Sequence, residues 1–177
     1  MVLLISLAVG CRDRDCTPTE TRAVVDPALM SFLSRARAAH HLADNQEQGQ
    51  PALALATLRS VLSGPRPGSP NHWAPEVCEV LADTSARVAD IESQLEQFED
   101  ATQTLFGALP WVPDASYYRG HLFEVLGLVE ERRTRALERQ GNVKEAASAR
   151  DRAMAAFEES MKIQAEVIRT ASADAGK

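Results

Sequence analysis

Six stretches rich in Ala, Leu, Glu, Arg and Gln run through this chain, and most of its nine prolines fall between them rather than inside them. Proline breaks a helix interior, because it lacks the N–H and its ring clashes with the preceding turn. Alanine favours helix and lets neighbouring helices approach closely. The Val/Ile/Thr alternation with frequent turns that a β-rich fold needs is missing. The chain has 177 residues, 45% of them apolar and only 5% aromatic, which suffices for one all-α domain with a substantial core.

Asp26 is an N-cap residue before Pro27, and the first helix runs from there to about Asn45. It carries Leu29, Phe32, Leu33, Ala36, Ala39 and His40 at helical spacing. Gln48-Gly49-Gln50 interrupts it, Pro51 opens a second helix that stops at Gly64, and Pro65 to Pro70 is a loop. A third helix spans Ala74-Pro75 to about Leu95, with Val77, Leu81, Val88 and Ile91 as its stripe and Ala82 and Ala89 beside it. Phe98 leads into a fourth helix ending near Leu109, and Pro110 and Pro113 bracket a rigid loop holding Trp111. The fifth runs from about Ser116 to Gln140 and is closed by Gly141-Asn142. The sixth runs from about Val143 to Thr170, with a stripe of Ala146, Ala149, Ala153, Phe157, Met161, Gln164 and Ile168. Each of these two is roughly 35–40 Å long at 1.5 Å per residue, and they should pair as a long antiparallel hairpin. The expected domain covers residues 26–171, with 172–177 as a disordered tail.

The segment Leu95 to Pro113, LEQFEDATQTLFGALPWVP, resembles a tetratricopeptide repeat. That family has an aromatic before a small alanine, a large apolar residue four positions later, an Ala-Leu pair and a closing proline. Here these are Phe98, Ala101, Leu105, Ala108-Leu109 and Pro113, and Val88-Ala89 sits where the repeat has leucine followed by a small residue. Weaker copies run through Gly49, Ala54, Leu58 and Val61-Leu62, and through Ala153, Phe157 and Ser160-Met161. The matching alanines Ala54, Ala101 and Ala153 are 47 and 52 residues apart, against a family repeat of ~34. Loops and long helices absorb the excess. The resemblance implies a short array of stacked antiparallel hairpins that ends in the long one. A generic six-helix bundle with alanine-rich interfaces is the alternative.

In such arrays the first helix of each hairpin lines a concave surface. On this chain that surface maps to Asp83, Asp90 and Gln94 of the third helix and to Tyr117 and Glu124 of the fifth. The set is net acidic, so the groove would take a basic or polar peptide segment. An ordinary solvated helix face is the other reading of the same residues.

The chain opens MVLLISLAVGC. Nine or ten apolar residues are too few to span a bilayer but match the apolar region of a secretory signal. Small residues directly before a cysteine resemble the bacterial lipobox, in which the cysteine is acylated and becomes the mature N-terminus. That makes Cys11 the lipid attachment site, residues 1–10 a lipoprotein signal and residues 11–25 a tether, of which Arg12 to Glu20 is the most polar stretch. Ala8 departs from the leucine the family favours, and no Lys or Arg precedes the apolar run, as it would not if the true start lies upstream of Met1. A buried N-terminal strand or helix turn with an incidental cysteine is the alternative. In an oxidising compartment Cys16 and Cys78 could pair, although a cysteine on a helix such as Cys78 is expected as a small buried apolar residue.

The net charge of −6, with bases interspersed among acids as in Glu130-Glu131-Arg132-Arg133, argues against nucleic acid as a partner. His40 and His41 are adjacent and point about 100° apart on a helix, so they cannot chelate one ion. His72 and His121 have no partner at zinc spacing, no CxxC occurs, and no catalytic motif is present, so neither cofactor, metal nor enzymatic activity is expected. The expectation is a lipid-anchored scaffold facing the periplasm, probing a protein partner and helping to assemble an envelope complex, by analogy with lipoproteins of this repeat class. The alternatives are a structural subunit that packs through its C-terminal hairpin, which an exposed apolar stripe there would favour, and a cytoplasmic adaptor.

Overall fold

The structure, a computed structural model, describes residues 26–68 and 73–175. Cys11, Cys16, His72 and the leader and tether expected over residues 1–25 lie outside the described residues. The described chain forms six α-helices without a strand: α1 (Pro27–Glu47), α2 (Pro51–Ser63), α3 (Pro75–Gln94), α4 (Phe98–Ala108), α5 (Tyr117–Arg139) and α6 (Val143–Ala175). A single 3-10 turn, Leu109–Trp111, follows α4.

The boundaries follow from local chemistry. Asp26 accepts a hydrogen bond from the Ala28 N–H at 2.8 Å, and Pro27, Pro51 and Pro75 each open a helix where no N–H partner exists. Ser116 caps α5 through the Arg119 N–H at 3.2 Å. Gly141 turns the chain with φ +78°, whereas the α3–α4 turn puts Glu96 at φ +59°, a conformation that costs a side-chain-bearing residue ~1–2 kcal/mol. No helix among the described residues is long and apolar enough to cross a membrane.

The helices pair as three antiparallel hairpins, α1–α2, α3–α4 and α5–α6. The first helices adjoin one another, α1 on α3 and α3 on α5, while α2 packs on α3 and α4 on α5. Close approach depends on alanine: Ala82, Ala86 and Ala89 of α3 face Ala101, Leu105 and Ala108 of α4 in one buried cluster. A second cluster joins Ala43 of α1, Ala54 and Leu58 of α2, and Val88 and Ile91 of α3. Trp73 and Trp111 meet edge to face at 6.5 Å beside a third cluster, with the Arg66 guanidinium over both rings.

The long hairpin departs from expectation in two ways. α6 continues to Ala175, so residues 172–175 extend the helix instead of opening a disordered tail; Ala171, Ala173 and Ala175 favour helix, and no breaker precedes Gly176. The buried side of α6 is Ala146, Ala149, Ala153, Ala156, Ser160 and Ile163, while Met161 and Ile168, expected in the stripe, are exposed. The expected stripe advances by about 3.7 residues per step. A seam held against an antiparallel partner advances by about 3.5, so the expected stripe drifts off it.

Candidate functional site

Side-chain pairings across the first helices fix their direction. His40 Nε2 lies 2.9 Å from Thr84 Oγ1, and Arg87 reaches Asp44 at 2.9 Å and Glu47 at 2.7 Å, so α1 and α3 run parallel. Arg132 reaches Asp90 at 2.6 Å and Ser93 at 2.7 Å, and Arg139 reaches Glu96 just past α3 at 2.6 Å, so α3 and α5 do too. Three parallel helices therefore present one shared face, and an arginine on each later helix clamps it to the one before.

At the C-terminal end of this face Asp90 and Gln94 have internal partners. Asp90 accepts from Arg132 and from Gln94 Nε2 at 2.9 Å, and Gln94 also donates to Glu47 at 3.1 Å. These residues line an open groove of about 790 Å³ with Asp44, Glu47 and Arg87. Burial works against the Arg87 charge, but its hydrogen bonds and the fields of Asp44 and Glu47 outweigh it and hold the guanidinium above its ordinary value.

At the N-terminal end the acids have histidine rather than arginine partners. Asp83 lies 3.8 Å from His40 Nδ1 and is 45% exposed. Glu124, 50% exposed, stands 3.3 Å from His121 Nδ1. Tyr117 is 61% exposed, stacks on His121 with centroids 6.1 Å apart, and meets Tyr118 edge to face at 5.4 Å. Burial pushes the Tyr118 phenol up, and the nearby charges of Glu79 and Asp83 add to that.

The five residues expected in the groove therefore divide. Asp83, Tyr117 and Glu124 present free edges to solvent, whereas Asp90 and Gln94 serve the α1–α3–α5 contacts. Arg87 and Arg132 are neighbours of these residues that local pattern does not single out, because their partners lie some 40 residues away in sequence, whereas His121 meets Glu124 and Tyr117 within about one turn. A second groove, of about 510 Å³, lies between α4 and α6 and is lined by Phe106, Phe123, Leu126, Ala155 and Ala156.

Buried carboxylates elsewhere are structural. Glu92 accepts from Arg59 at 2.7 Å and from Thr104 at 3.0 Å, tying α2, α3 and α4 together. Glu130 accepts from Arg152 Nε and Nη2 at 3.0 and 2.7 Å across the α5–α6 seam. Cys78 is half-buried rather than enclosed, because it sits in the first turn of α3 at the edge of the core, and burial together with Glu79 pushes its thiol up. Among the described residues no group of three or more His, Cys, Asp or Glu side chains could hold a metal ion.

Compared with known proteins, the chain matches no protein-family model, no curated protein and no solved structure at a significant level.

Proposed function

We propose that this chain is a non-catalytic scaffold of tetratricopeptide type that holds a basic or polar protein segment along the face of α1, α3 and α5. The observation that carries the reading is the charge balance of that face. Asp44, Glu47, Asp83, Asp90 and Glu124 contribute acid from three helices; Arg87 and Arg132 pair with Asp44, Glu47 and Asp90, which leaves Asp83 and Glu124 with histidine partners alone. The unmatched acid is concentrated where Asp83 and Glu124 are open and Tyr117 offers an exposed ring. A peptide lysine or arginine finds there both a carboxylate and an aromatic face. The burial of Ala54, Ala101 and Ala153, the alanines of the repeat pattern, supports the family resemblance.

The scaffold is further proposed to be a lipoprotein, acylated on Cys11, held at the outer membrane and facing the periplasm, where it assists assembly of an envelope complex. Intact mass and fractionation of the natively expressed protein test this part. A mature chain beginning at Cys11 with acyl mass, found in membranes, supports it, and an unmodified soluble chain retaining Met1 removes it. The binding reading is tested by titrating the purified chain with lysine- and arginine-rich peptides and a neutral control. Binding that weakens in Asp83→Asn with Glu124→Gln supports it; peptides that bind the variant as well as the native chain, or that fail to bind the native chain, count against it.

A second reading, a subunit that packs on a neighbour through its C-terminal hairpin, is favoured by the apolar side chains exposed on α6, Met154, Met161 and Ile168.

A further inference from the structure

Met154, Met161 and Ile168 stand on the outer side of α6, 57%, 64% and 66% exposed and each seven residues from the next. Seven residues are close to two helical turns, so these side chains form one stripe, prolonged by the exposed Ala147 over about 32 Å. The buried seam of α6 faces α5, and α6 makes no comparable contact with any other described helix. Terminal elements of a hairpin array ordinarily carry a polar outer face, and here an apolar stripe runs beside the charged residues of that face.

From Asp151 to Arg169 the charges on one flank of the stripe are sorted by sign along the helix. Asp151 and Glu158 stand about 40–60° round from it, and Lys162 and Arg169 about 100° round on the same side, away from α5. Between Asp151 and Arg169, acid therefore precedes base on this flank, and Lys144 stands N-terminal to both. A second α6 laid parallel would carry this flank on the far side of the seam from its own copy, so its acids and bases would not meet one another. Laid antiparallel about a point near Ser160, it sets Asp151 opposite the second copy's Arg169 and Glu158 opposite its Lys162, each pair occurring twice. The same placement brings Met161 against its own copy and Met154 against Ile168. Within one copy Lys162 pairs with Glu159 and Arg169 with Glu166, but these exposed pairs are worth little and leave both cations able to swing.

We infer that α6 is a self-association surface, on which a second copy of this chain docks antiparallel through Met154, Met161 and Ile168 to make a four-helix bundle of two α5–α6 hairpins. The inference rests on the second reading above and names its partner; it does not involve the face of α1, α3 and α5.

Sedimentation velocity of the whole chain, from micromolar to millimolar concentration, tests it. The expected result is a reversible monomer–dimer equilibrium that Met161→Glu abolishes, with helical content unchanged because Met161 is on the surface. Asp151→Arg and Arg169→Asp should each weaken association about tenfold, and the two together should restore it. These residues stand about 27 Å apart on one helix, so restoration can come only from contact between copies. A monomer throughout, a dimer indifferent to Met161→Glu, or reversed charges that do not rescue each other overturns the inference. The broader reading then stands if Met161→Glu releases the native protein from a larger complex on a native gel, and falls if the native protein migrates as a monomer.

Discussion

Gly127 of α5 lies directly beneath the ring of Phe157 of α6: a β-carbon on Gly127 would stand 2.5 Å from Phe157 Cε1 and 2.6 Å from Cδ1. Gly120, seven residues earlier on the same seam, accepts a hydrogen bond from Ser160 Oγ at 2.8 Å through its carbonyl. The two glycines let the α5 backbone take part in the contact. Gly127→Ala gains ~1 kcal/mol of helix propensity but overpacks the ring at a cost of ~1–3 kcal/mol, so a net loss of stability is expected. In a Phe157→Ala background the same substitution should become stabilising by about 1 kcal/mol. Urea-unfolding midpoints of the four proteins check both signs. Stabilisation by Gly127→Ala in the native background would remove the ring from its assigned place.

Ala101 is fully buried among the alanines of α3. Ala101→Trp should destabilise the chain by ~1–3 kcal/mol or more, since the α3–α4 contact has no room for an indole without displacing a helix. Thermal unfolding measures it, and an unchanged midpoint would count against the hairpin register.

Asp90 and Glu124 should respond differently to charge reversal. Sequence pattern alone makes them equivalent members of an acidic surface, both replaceable by lysine without loss of stability. The Arg132 guanidinium, 2.6 Å from Asp90, separates them. Asp90→Lys sets two cations together at the α3–α5 contact and should lower stability by about 1–3 kcal/mol, whereas Glu124→Lys, at an exposed site, should stay within about 0.5 kcal/mol. Chemical denaturation of the two single variants decides it. Equal stability of both would mean that the arginine clamp contributes nothing.

Helix existence and order were legible in the chain because Pro27, Pro51, Pro75 and Gly141 act within a turn of where they stand. The three hairpins could be read for the same reason. What pattern could not supply was partnership over long separations. Arg87 and Arg132 look like solvated charges until α1 and α5 come beside α3. The α6 seam was misplaced because a straight-helix period was followed where an antiparallel partner imposes a shorter one. Met161 and Ile168 thereby passed from core to surface, and an exposed apolar stripe stood among residues that resembled ordinary packing. On the face of α1, α3 and α5 the acids are visible in the chain, but nothing local distinguishes Asp83 and Glu124 from Asp90, which Arg132 engages.

His40 gives the fold a pH dependence of definite sign. Thr84 donates its hydroxyl proton to the Val80 carbonyl at 2.7 Å, so Thr84 Oγ1 accepts from His40 Nε2, and the neutral ring leaves Nδ1 toward Asp83. Burial lowers the His40 pKa below its ordinary 6.5, and Asp83 is the strongest opposing influence. The unfolded chain therefore binds the proton more readily than the folded one. This contribution is full above the unfolded value of 6.5 and is lost as pH falls below it, until the lower folded pKa is passed. His40→Gln should reduce the loss of melting temperature between about pH 7 and pH 5.5. Asp83→Asn removes the influence that holds the pKa up, so it should depress the His40 titration further and steepen the acid-side loss. Ring-proton NMR titration reads the first effect and melting curves the second. A His40 that titrates above 6.5 in the folded chain would reverse the sign and place the imidazole in an ion pair with Asp83 instead.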